Sequence, residues 1–192
     1  MGEMLQTSSP AASSPSTGSR IGHVVCAYAP ALRRFLVIAA IAWWLGGFTF
    51  YAGVAVPMGM EVLGSHKVVG FVTERVTNWL NVGGVIALLI LLWNTALSWK
   101  SRGKWVRNTL LITWLLMAAI EVELIVLHPV MDRLLTTHPY RMILDEDRFE
   151  FLHHVYLISS SVQWGIGLLH VWCLCLAWVS RGTSVQPEMN VA

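Results

Sequence analysis

The chain has 192 residues, of which 55% are hydrophobic and 12% charged. Soluble domains carry about 25% charged residues, so this composition excludes an ordinary soluble domain and points to lipid. A formal net charge of +2 is too small to argue for a nucleic-acid partner. Ten Trp suit a chain that meets two membrane–water interfaces. Cys26, Cys173 and Cys175 form no disulfide framework and no Cys-x-x-Cys pair, and read as apolar helix residues.

In chain order, residues 1–22 are a Ser/Pro/Ala/Thr/Gly tract. Such a tract buries too little apolar surface to offset its ordering entropy, so residues 1–33 are expected to be a disordered or flexible cytoplasmic segment. There is no basic start followed at once by an apolar run, as a signal peptide requires. Gln6 stands where a myristoylation signal wants Ser or Thr.

Four long apolar segments follow within residues 34–180. The first is Phe35–Val56, with a stop expected at Pro57. The second is Val82–Trp99, the third Thr109–Val130, the fourth Val155–Val179. Each approximates the ~20 residues that cross the hydrocarbon core as a helix. Lipid leaves backbone groups no other partner, and the alternation of barrel strands is missing. The expected fold is therefore all-α, a four-transmembrane-helix bundle with lipid as its first partner. Between the first two spans, Val68, Val69, Val72, Val76, Trp79 and Leu80 recur at helical spacing. That pattern predicts an interfacial amphipathic helix, possible as a run-in to the second span. The loop Met131–Leu152 is acidic and holds His138-Pro139, and residues 181–192 form a tail.

Lys and Arg set the expected orientation. The N-terminal segment, the 100–108 loop and the tail hold eight of the 13, namely Arg20, Arg33, Arg34, Lys100, Arg102, Lys104, Arg107 and Arg181. This bias places both termini in the cytoplasm, with a bacterial cytoplasmic (inner) membrane as the expected location.

Polar groups are costly in lipid and mark the faces turned inward. On the fourth span Tyr156, Ser159, Ser160, Gln163, Gly167 and His170 share one stripe. Trp114, Met117, Glu121, His128 and Asp132 share another on the third, and Gly83, Ala87, Asn94 and Ser98 on the second. On the first, Ala39, Ala42, Gly46 and Gly53 form a small-residue stripe, beside which stands Gly47. Small residues let helices approach closely, so each of these stripes is expected to be an inner, packing face.

Glu121 is the most informative residue. A carboxyl near mid-span must be paired, hydrated or protonated. Antiparallel pairing brings Gln163 to the same depth, so the expected arrangement is Glu121 hydrogen-bonded to Gln163 or a Ser, holding the bundle in register. A proton or ion relay is the functional alternative. Glu123 lies about 200° round the helix from Glu121, so the two cannot face the same core, and one of them is expected to face an oligomer partner.

The histidines give a second candidate site. His128 and Asp132, four apart, with His153 at the start of the fourth span, suggest copper or zinc. Interfacial histidines bonded to loop carbonyls are the simpler expectation, and Pro129 threatens the i,i+4 geometry. His154 is expected to pair locally with Glu150. His170 lies deep, but no other span offers a second deep histidine, so haem is disfavoured and no cofactor is expected with assurance.

Trp44-Leu45-Gly46-Gly47-Phe48 with Val56-Pro57, then Leu127-His128-Pro129 and Phe151-Leu152-His153, resemble a family of small four-helix membrane proteins that carry a domain of unknown function. That family has bacterial members and eukaryotic small transmembrane members. The Trp-Leu-Gly-Gly element is also similar to the membrane domains of copper-resistance proteins. The resemblance covers about residues 34–180 and implies a four-helix bundle without an assigned activity.

No phosphate-binding loop or Ser/His/Asp arrangement is recognisable, so a non-enzymatic protein is expected. The leading expectation is helix–helix association with itself or with a membrane-protein partner. Metal handling through the histidines and proton or small-solute passage at Glu121 are the alternatives.

Overall fold

The computed structural model describes residues 17–64, 66–99, 103–135 and 143–182. The tract before residue 17, His138-Pro139 and the tail from 183 on lie outside them. The chain divides into two units, Met1–Phe35 and Leu36–Ala192, and the bundle described below belongs to the second.

The elements are α1 (Thr17–Phe50), a π turn (Tyr51–Ala55), α2 (Val56–Leu63), α3 (His66–Leu97), α4 (Lys104–Asp132) and α5 (Glu146–Gly182). There is no strand among the described residues, only an isolated bridge between Leu135 and Ile143. Four helical stretches are long and apolar enough to cross a membrane: Tyr28–Leu63, Val68–Leu97, Lys104–Asp132 and Glu146–Val179. The molecule is an all-α four-helix bundle and an integral membrane protein.

Two boundaries depart from expectation, each for a local reason. The first span does not stop at Pro57. The preceding π turn shifts the bonding by one residue, so that the Val56 N–H reaches the Tyr51 carbonyl. Pro57 then falls in the first turn of α2, where its missing N–H leaves no bond unmade. The helical path ends at Gly64 instead, whose φ of 61° is a left-handed cap that only glycine adopts without penalty. Residues 66–80 run on into the second span, the second of the two arrangements the spacing allowed, and do not form a separate interfacial helix, because nothing interrupts the helical ladder. Val69 of the expected apolar face is buried, whereas Val68, Val72, Val76 and Trp79 are exposed.

The other boundaries lengthen the spans. Pro129 does not break α4, which runs on to Asp132. α5 starts at Glu146, capped by Asp145, whose Oδ1 accepts the Arg148 N–H at 3.1 Å. Within residues assigned to the flexible N-terminal segment, helix is present from Thr17.

The core contains Val37, Trp44 and Leu45 of α1, Ala87, Leu88 and Leu91 of α3, Leu110 and Met117 of α4, and Leu174 of α5. In lipid the drive to pack is dispersion and interhelical hydrogen bonding, which reward close backbone approach. Gly83 and Gly167 instead make room for side chains of α1. A Cβ on Gly83 would lie 2.6 Å from the Trp43 ring, and one on Gly167 would lie 3.0 Å from Leu45 Cδ2. Gly47 is looser, with Leu80 at 3.4 Å.

The small-residue stripe of α1 is the main correction. Ala39, Ala42, Gly46 and Gly53 are exposed, and a Cβ on Gly46 or Gly53 would meet nothing within 4 Å. On α1, Val37, Trp44 and Leu45 are buried, while the small-residue stripe lies outward together with bulky residues such as Ile38 and Phe50. Shape is satisfied because the facing helices already provide the glycines, so α1 supplies the knobs.

Candidate functional site

Two parts of the bundle carry features that packing alone does not explain. One is a polar seam inside α3, α4 and α5. The other is the outward surface.

The seam centres on Glu121. It is three residues past the midpoint of Lys104–Asp132, about 4.5 Å along the axis at ~1.5 Å per residue. Only 3% of it is exposed. Gln163 Nε2 donates to Glu121 Oε2 at 2.7 Å and to the Met117 carbonyl at 3.1 Å. The expected pairing of Glu121 with Gln163 is therefore present. Glu121 Oε1 has no hydrogen-bond partner among the described residues. The carboxyl presses against α3 at Gly84, where a Cβ would fall 2.5 Å from Oε2 and 2.8 Å from Oε1. Gly84 is thus the residue that makes room for the acid.

One turn toward the Asp132 end, the Tyr156 O–H donates to Asn81 Oδ1 at 2.8 Å, with both residues buried. The His128 ring meets Tyr156 edge-on at 6.5 Å. His128 Nδ1 lies 3.0 Å from Asp132 Oδ2, and its Nε2 lies 3.3 Å from the Glu74 carbonyl. The i,i+4 pair survives Pro129 because that proline sits in the last turn of a helix that stays regular. Both imidazole nitrogens thus face acceptors.

A groove of about 670 Å³ opens here between α3 and α4. Glu74, Arg75, Asn78, Asn81, His128 and Asp132 give it polar walls, and Val85 and Ile125 line it toward Glu121.

His153 does not join His128 and Asp132. It is exposed and stacks on Phe149 at 6.0 Å. Among the described residues no three His, Cys, Asp or Glu side chains converge as a metal would require. His154 bonds locally, its Nδ1 lying 2.9 Å from the Glu150 carbonyl.

In the other half of the bundle, His170 is 1% exposed, with Nδ1 2.7 Å from Thr113 Oγ1. Asn94 is fully buried, and neither of its polar atoms has a hydrogen-bond partner among the described residues. The apolar layer of Leu88, Leu91, Leu110 and Met117 is buried in the same core. Trp114 Nε1 donates to the Leu88 carbonyl at 2.9 Å and ties α4 to α3 there.

Sequence reasoning missed Gly84, Asn81 and Thr113 as members of this seam. Asn81 and Gly84 are three apart and continue the i, i+3, i+7 spacing that ends at Ala87, Leu91, Asn94 and Ser98, so the signal was present. Thr113 lies one turn from Met117 on the predicted stripe of α4.

The outward surface carries the α1 stripe and, on α4 and α5, a polar pair. Ser159 Oγ donates to Glu123 Oε1 at 2.9 Å, in an exposed position. Both residues lie inside the spans, where a polar group facing hydrocarbon is expensive.

No family model matches the chain, and no curated protein or solved structure matches it.

Proposed function

We propose that this is a non-enzymatic membrane protein that works by associating with a second copy of itself through the outward face of α1. The observation that carries the reading is the bare small-residue stripe at Ala39, Ala42, Gly46 and Gly53, which its own bundle does not use. Such a stripe is self-complementary about a two-fold axis, and it lets two backbones approach closely enough for dispersion to hold them. The Lys and Arg bias further supports a bacterial cytoplasmic membrane with both termini inside.

The test is Gly46→Leu. The space around Gly46 is open within the single chain, so the substitution leaves the bundle intact. The expected result is loss of crosslinked dimer with unchanged unfolding behaviour. Crosslinking that persists at the level of the parent chain contradicts the reading.

A further inference from the structure

We propose that the α3–α4 groove is a proton-entry vestibule and that Glu121 is the protonation site it serves. This goes beyond association and stands on separate observations.

The first is the position of the groove. Its volume of about 670 Å³ is large enough to hold water, and Glu74, Arg75, Asn78, Asn81, His128 and Asp132 give water polar partners there. It opens at the end of the bundle that holds Asp132, away from the loop between α3 and α4. Val85 in its wall is the chain neighbour of Gly84, which touches the Glu121 carboxyl. Ile125, also in its wall, is one helical turn from Glu121, about 6 Å at ~1.5 Å per residue.

The second is the state of the carboxyl. Oε2 takes the Gln163 N–H, while Oε1 is buried without a partner among the described residues. An ionised carboxylate with a single amide donor is poorly satisfied in a low-dielectric interior. A proton delivered from groove water forms an O–H bond at Oε1, cancels the charge and leaves the Gln163 bond in place. Its release runs the same step backwards, to water. No other reactant is needed.

The third is the surround. From α4, His128 and Asp132 face the groove; from α3, Glu74 and Arg75 do. Tyr156 from α5 holds Asn81 at the groove wall, and Tyr51 from the π turn lies 3.5 Å from Thr77 of α3. At the mouth, His128 has an oxygen within reach of each ring nitrogen, Asp132 Oδ2 at 3.0 Å and the Glu74 carbonyl at 3.3 Å. Towards the opposite end, Leu88, Leu91, Leu110 and Met117 are 5%, 2%, 0% and 0% exposed and separate Glu121 from the His170–Thr113 pair. Access is therefore one-sided.

The test is infrared spectroscopy of the full chain in lipid nanodiscs. On acidification, the protonated-carboxyl C=O band of Glu121 is expected to appear. It should be lost in Glu121→Gln, whose amide keeps a partner in Gln163, and retained in Glu123→Gln. A second measurement follows hydrogen–deuterium exchange of that band. In a chain whose native cysteines are replaced by Ser, Ile125→Cys is coupled after folding to a bulky maleimide, which plugs the groove. Exchange is expected to slow relative to the unmodified variant. The proposal is overturned if no band titrates, if the band survives Glu121→Gln, or if the plug leaves exchange unchanged.

Discussion

Gly46 and Gly84 occupy apolar helices of similar composition and have opposite surroundings. A methyl group at Gly84 would collide with the Glu121 carboxyl, whereas one at Gly46 would meet nothing. Gly84 exists because a partner is already in place. Gly46 leaves room that its own chain does not fill. In a bilayer, where apolar surface has no aversion to its solvent, only close fit and polar pairing distinguish an inner face from an outer one. The inner seam has both. The α1 stripe has fit without an occupant.

Substitutions on the two faces are expected to separate accordingly. Gly84→Val should have the largest effect, about 3 kcal/mol of destabilisation from overpacking against a buried acid. Unfolding in mixed micelles measures it, and a wild-type midpoint would break the contrast with Gly46. Gln163→Leu should cost about 2 kcal/mol, because it removes the Gln163 donor to a buried carboxyl. Combining it with Glu121→Leu should recover much of that loss, and strict additivity would show that the two are not coupled. Asn94→Leu should raise stability by about 1 kcal/mol, since a buried amide without partners gives way to an apolar group of similar size. Tyr156→Phe should cost about 0.6 kcal/mol, the usual worth of an interhelical hydrogen bond in a membrane. Gly46→Leu should leave stability unchanged while abolishing association.

The inner seam was largely legible from sequence because polar residues announce their direction in lipid. Glu121, Gln163, Tyr156, Asn94 and His170 are all buried where their stripes placed them. Gly84 carried no such sign, since its role depends on which residue stands opposite. The α1 stripe was misplaced for a related reason. Small residues satisfy an inner seam or an outer docking face equally well, and on α1 the flanking Trp44 and Leu45 decide the matter by filling space between α3 and α5. Pro57 misled as a stop because a π turn upstream relieved it. His153 shared an end of the bundle with His128 but not a face, and a segment-level reading of depth cannot tell these apart.

The account rests most heavily on the outward face of α1 being a contact between copies. Cysteine scanning in the membrane tests this directly, with Cys26, Cys173 and Cys175 replaced by Ser and single cysteines placed along α1. Disulfide-linked dimer is expected from Ala42→Cys, Gly46→Cys and Gly53→Cys, and not from Leu45→Cys, which is buried against its own bundle. Equal crosslinking at all four positions, or none at the three small-residue sites, would contradict it.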